Sequence, residues 1–284
     1  MMFNTRILQF FISTVLLSSL HISLTYAQDQ NVYIFLCFGQ SNMEGTGKIE
    51  AQDTIADIRL LHLQAVDCPD LKRQKGHWYR AKSPLSHCDT GVSPAEQFGR
   101  TLVQNLPDSI TVALIHVAVG GCHIQLFDQD STAAYVERAP DWMKSKLALY
   151  DNNPYKRLVE MAKIGQQKGV IKGILLHQGE SNTGDQDWPN KVNKVYTNLL
   201  NDLDLAANET PLLAGEMLSA QQGGKCASMN EIINTLPQTI PNAHIISSKY
   251  CEGAPDDIHF SSAGYRKLGS HYADVWLDYY YNRK

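Results

Sequence analysis

The chain has 284 residues, 43% of them hydrophobic and 19% charged, which are the proportions of a folded globular protein and not of a disordered or fibrous one. Lys and Arg number 25 against 29 Asp and Glu, a formal net charge of −4, so the basic surplus that neutralises a phosphate backbone is missing and no nucleic acid partner is expected. Six cysteines are too few for a disulfide-framework miniprotein and none lies in a CxxC pair of the zinc-holding kind, so no metal and no cofactor is expected.

Residues 1–27 read as an export signal. Arg6 precedes an apolar run over residues 7–20, and Thr25-Tyr26-Ala27 puts small residues at the minus-three and minus-one positions of a signal-peptidase cut. That run is shorter than the roughly 20 residues needed to span a bilayer. No stable membrane insertion is therefore expected after cleavage, and 28–284 is expected to be a single exported domain, periplasmic or secreted.

From residue 28 onward, short runs rich in β-branched residues alternate with longer amphipathic stretches, the pattern of an α/β fold on a mostly parallel sheet. Five strands are predicted, at 32–38, 110–119, 173–176, 211–216 and 244–247. Between the first two lies a helix at 94–105, with Ser93 as N-cap and Pro94 at its first position, burying Phe98, Leu102 and Leu106. A second helix covers 188–205, where Trp188, Val192, Val195, Leu199 and Leu203 recur at three- and four-residue intervals. Ser261 or Ser262 caps the last helix, whose stripe is Tyr265, Leu268, Tyr272, Val275 and Tyr279. The segments 51–92 and 122–153 are long insertions of mixed polarity, and active-site walls usually come from such loops.

Three polar loops leave predicted strands at their carboxyl ends, where open α/β sheets hold ligands. The first is Gly39-Gln40-Ser41-Asn42-Met43-Glu44. Ser41 there can present its oxygen while its own N–H faces a developing oxyanion; alternatively Ser41 or Asn42 simply caps a helix. In the second, Gly120-Gly121 lets backbone N–H groups approach a ligand, and suits an ordinary strand-to-loop bend equally well. The third, His177-Gln178-Gly179-Glu180-Ser181-Asn182, is a polar cluster in which a buried strand seldom ends without a ligand to bind. A fourth element precedes the last helix: Asp256 lies three residues before His259, close enough to bind Nδ1–H and leave Nε2 free to take a serine proton. The order Ser, Asp, His along the chain matches several unrelated hydrolases. Gly47-Lys48 fails as a phosphate-binding loop, because Asn42 stands where the first glycine belongs and Ile49 where the hydroxyl residue belongs.

Together Gly39-Gln40-Ser41-Asn42-Met43, Gly120-Gly121, the 177–182 block and Asp256-x-x-His259-Phe260 resemble the SGNH-hydrolase superfamily. Within it they look most like carbohydrate esterase family 6, the acetyl xylan esterases, related to the sialate O-acetylesterase group. The resemblance implies a three-layer α/β/α sandwich of flavodoxin-like type on a five-stranded sheet. It implies Ser41 as nucleophile, His259 as base, and N–H groups of Ser41 and Gly121 in the oxyanion hole. The chain departs from the superfamily pattern at Gln40, which replaces the usual aspartate, and at Gln178, to which the resemblance assigns the third oxyanion donor. Asp256, Glu180 or both orient His259. The implied substrate is acetylated xylan or its oligosaccharides, the alternative a sialate or other glycan O-acetyl ester, and the distant alternative a non-catalytic carbohydrate-binding module. Gln40, Asn42, His123, Asn182 and Trp188 are the candidate substrate contacts, and His177 a substrate or supporting group. Cys37 and Cys122 are expected as buried thiols, and Cys226 is expected to pair with Cys251.

Overall fold

The computed structural model describes residues 28–281; the expected export signal lies outside the described residues. One sheet runs through the molecule in the order β3-β2-β4-β1-β5-β6-β7. Its strands are β1 (Asp29–Gly39), β2 (Leu60–Leu63), β3 (Trp78–Arg80), β4 (Thr111–Ala118), β5 (Gly169–His177), β6 (Leu212–Gly215) and β7 (Ala243–Ile246). Every neighbouring pair is parallel except β2 with β3. The helices are α1 (Ser41–Glu44), α2 (Pro94–Asn105), α3 (Thr132–Arg138), α4 (Asp141–Ala148), α5 (Pro154–Gln166), α6 (Trp188–Asp202), α7 (Met229–Ile233), α8 (Leu236–Thr239) and α9 (Ser262–Trp276).

The three layers follow from the two-residue period of the strands. In β1, Ile34, Leu36 and Phe38 face one core and Phe35 and Cys37 the other, and β4 divides in the same way, with Ile115 and Val117 opposed to Val112 and Leu114. The first core is closed by Leu158 and Met161 of α5 and by Trp188, Val192, Val195 and Leu199 of α6. The second is closed by Phe98 and Leu102 of α2 and by Tyr265, Leu268 and Tyr272 of α9. Each such side chain contributes about 1.5–3 kcal/mol when fully buried. Among the described residues no helix is long and apolar enough to cross a membrane.

The sheet has two strands more than the sequence predicts. Both, β2 and β3, lie inside the 51–92 segment read as an insertion, and they form its antiparallel edge ribbon. α2 has the predicted bounds, yet Ser93 makes no side-chain cap hydrogen bond and its hydroxyl is buried without a partner. Ser261 does cap α9, accepting from Gly264 N–H at 3.1 Å. α6 stops three residues before the predicted end, at the left-handed Asp204. Tyr279 falls beyond α9 and is exposed. Cys37 and Cys122 are buried thiols as expected, but Cys226 and Cys251 are free too, and the disulfide joins Cys68 to Cys88 across the segment that holds β3.

Candidate active site

Three adjacent strands of the sheet centre, β4, β1 and β5, deliver their C-terminal loops to one place. At the end of β1, Gly39 has φ +152°, and a Cβ there would lie 2.1 Å from the carbonyl oxygen of His177. Only glycine lets the chain turn this close to β5. Gln40 N–H then bonds the same carbonyl at 3.0 Å, and Ser41 opens α1 with its side chain half-buried.

Ser41 Oγ lies 2.8 Å from His259 Nε2, and His259 Nδ1 lies 2.6 Å from Asp256 Oδ2. The other oxygen of Asp256 accepts the backbone N–H groups of Ile258 and His259, each at 2.9 Å. Partial burial tends to raise the Asp256 pKa, but the imidazole and these two N–H groups outweigh it and bring it down to about 2. The carboxylate is therefore ionised, holds the proton on Nδ1, and leaves Nε2 as an acceptor for the Ser41 hydroxyl. The turn is closed on itself, with Ala254 N–H donating to the His259 carbonyl at 2.7 Å and Asp257 taking a left-handed φ of 63°.

Opposite this relay, the Gly120-Gly121 loop is clamped from both sides. Gly120 N–H donates to Glu44 Oε1 at 2.9 Å, and Ser181 Oγ donates to the Gly121 carbonyl at 2.9 Å. Glu44 is buried and also bonds His87 Nε2 at 3.1 Å and Lys146 Nζ at 2.7 Å. Burial alone would raise its pKa, but His87, Lys146 and the Gly120 N–H together hold it below the ordinary carboxylate value. Gly121 has φ +74°, and a Cβ there would lie 2.6 Å from the indole edge of Trp142. The N–H groups of Ser41 and Gly121 have no acceptor among the described residues. Both residues line a pocket of about 470 Å³ together with Gln40, Glu180, Ser181 and His259.

The structure separates the other sequence candidates. Glu180 does not hydrogen-bond His259; its Oε1 accepts from Asn42 Nδ2, its Oε2 is buried without a partner, and burial pushes its pKa up. Among the described carboxylates only Asp256 hydrogen-bonds the imidazole, because three residues of turn place it there. Gln178 is not an open donor: its Nε2 faces Gln40 Oε1, the Cys122 carbonyl and Asn182 Oδ1 within 3.2 Å, and its Oε1 accepts from Trp188 Nε1 at 2.6 Å. Asn42, Asn182 and Trp188, expected as substrate contacts, are buried and fully engaged within the protein. His177 is also a core residue, kept neutral by burial that lowers its pKa to about 3. His123 is exposed beside Tyr135 in a neighbouring cleft. Glu44, Ser181, His87 and Lys146 were not singled out from the sequence. For Glu44 a signal existed, since it lies one helical turn after Ser41. Among the described residues no group of three or more His, Cys, Asp or Glu is placed to hold a metal ion.

A family model described as "Carbohydrate esterase, sialic acid-specific acetylesterase" matches residues 31–278. The chain belongs to this family. Membership makes it a carbohydrate esterase, a carboxylic ester hydrolase. Solved structures share the fold. A protein of Arabidopsis thaliana superimposes with a TM-score of 0.68 at 22% identity, covering 89% of this chain and 100% of that one. NanS gives 0.61 at 16%, covering 89% and 99%. A carbohydrate acetylesterase from Xanthomonas citri gives 0.61 at 16%, covering 88% of this chain and 57% of that one.

Proposed function

We propose that this family member is a serine O-acetylesterase acting on acetylated glycans. The observation that carries the reading is the unbroken relay Ser41 Oγ, His259, Asp256 facing the open N–H groups of Ser41 and Gly121 across one pocket. His259 Nε2 takes the Ser41 proton as Oγ bonds to the acetyl carbonyl carbon. The displaced π pair becomes an oxyanion held by the two N–H groups. Collapse breaks the bond to the sugar oxygen, which leaves with the proton from His259. Water, deprotonated by the same nitrogen, then attacks acetyl-Ser41 and releases acetate. Beside the pocket opens a cleft of about 800 Å³ that shares Glu44, Thr46 and Lys146 with it, giving space for a saccharide beyond the ester.

The substrate implied by the sequence resemblance, acetylated xylan or its oligosaccharides, stands as one reading. An O-acetylated sialic acid is the second, and the description of the family favours it. Acetate release measured side by side from both substrates decides between them. Turnover of p-nitrophenyl acetate tests the esterase itself: Ser41→Ala should abolish it with an unchanged melting temperature, and activity within tenfold of wild type removes Ser41 as nucleophile. Residues 1–27 are proposed as a cleaved export signal, which N-terminal sequencing of the exported protein would test.

A further inference from the structure

An oxyanion hole of two backbone donors is completed in many acyl transferases by a side-chain amide, and here the amide of Gln178 is engaged elsewhere. It is 1% exposed, its nitrogen has three acceptors, and it does not line the pocket at Ser41. Gln40, the residue before Ser41, does line that pocket. Its Oε1 is fixed by three donors: Gln178 Nε2 at 3.1 Å, Ser181 N–H at 3.2 Å and, more weakly, Gly179 N–H at 3.5 Å. Three donors on one end of an amide identify that end as the oxygen, so the opposite end is the NH2 group. That Nε2 has no acceptor among the described residues, although Gln40 as a whole is only 2% exposed. It is also absent from the sealed polar atoms of the interior, so it keeps some surface, and Gln40 is one of the residues lining the pocket. An amide donor left without an acceptor is costly unless solvent or a ligand meets it.

We infer that Gln40 Nε2 is the third donor of the oxyanion hole, acting with the N–H groups of Ser41 and Gly121. Gln178 is then a positioning residue. It fixes the Gln40 oxygen and is itself fixed by Trp188, so the Gln40 NH2 group is preorganised toward the place where negative charge develops. The inference rests on the serine-esterase reading, and wild-type turnover with loss in Ser41→Ala must be established first; if these fail, that reading fails and not the donor assignment alone.

Gln40→Glu separates donation from positioning, because a carboxylate still accepts from Gln178, Gly179 and Ser181 but offers no N–H. At pH 8 its kcat should fall 10²–10³-fold with KM little changed. A kcat within tenfold of wild type overturns the inference. A second measurement needs no variant. Phosphonylation of Ser41 in 15N-labelled wild-type protein places an anionic oxygen in the hole, and the Gln40 side-chain amide protons should move downfield while those of Gln178 stay. The reverse pattern, or no movement at Gln40, overturns it.

Discussion

Replacement of Asp256 by Asn tests the relay at its most informative point. The Asn carbonyl oxygen can still accept the N–H groups of Ile258 and His259, so the turn should survive. What changes is the group against His259 Nδ1, now 2.6 Å from a carboxylate oxygen. If that place is taken by an amide NH2, the imidazole must accept at Nδ1 and carry its proton on Nε2, which then cannot take the Ser41 proton over the 2.8 Å that separates them. Loss of the productive tautomer costs up to about 10⁴-fold in kcat in another serine hydrolase triad, roughly 5.5 kcal/mol of activation free energy. We expect 10³–10⁴-fold here, read with p-nitrophenyl acetate under saturating conditions. Glu180→Gln is the matched control, because Gln keeps an oxygen for Asn42 Nδ2 and Glu180 makes no hydrogen bond to the imidazole; it should stay within tenfold. Retention of most activity by Asp256→Asn, together with collapse of Glu180→Gln, would refute the assignment of the orienting carboxylate.

Other expectations follow from burial and close contact. His116 and His177 are buried neutral, with pKa values driven by burial to about 4 and about 3, against about 6.5 in the unfolded chain. Below pH 6.5 the unfolded chain binds protons that the fold refuses, so this stability is whole above 6.5 and is lost as pH falls toward 4. Denaturant titration should show a drop of several kcal/mol between pH 7 and 4.5, each unit per histidine being worth about 1.4 kcal/mol; equal stabilities refute it. Gly120→Ala would set a Cβ 2.6 Å from Glu44 Oε2 and 3.0 Å from Lys146 Nζ. Because Glu44 is held by three partners, the Gly121 N–H should shift instead, with about a 10²-fold loss of kcat; wild-type rates in a folded variant would show the loop to be less critical. Alkylation of the denatured, unreduced protein should label four cysteines and leave Cys68 and Cys88 linked in the peptide map, whereas a Cys226–Cys251 peptide contradicts the structure.

The central strands were legible because both faces of each are buried, which writes continuous apolar runs into residues 32–38 and 110–119. β2 and β3 were not, since a four-residue strand and a Trp-Tyr-Arg strand inside a polar segment carry no pattern that separates them from loop. The Cys68–Cys88 link was hidden for the same reason, as it belongs to the turn of the chain around that ribbon. Asp256 and His259 could be read because their contact is local. Which carboxylate meets His259 could not be read from the sequence; in the fold Asp256 does, and the Glu180 carboxyl turns toward Asn42. The partners of Gln178, namely Gln40, the Cys122 carbonyl and Asn182, lie up to 138 positions away, so only the folded chain shows that its amide is engaged.

Ser41 and His259 stand 218 positions apart, one on the turn after the first strand and the other beyond the last. On the proposed mechanism, a chain growing on the ribosome thus exposes its attacking hydroxyl early and receives the imidazole that would activate it only near the end of synthesis. Until α9 has docked on α2 and the Asp256–His259 turn has closed over Ser41, the serine is an ordinary alcohol. Esterase activity by this mechanism would accordingly report complete folding: fragments ending before the last helix, and partly folded chains in which that helix is detached, should be chemically silent toward every acetyl ester they meet.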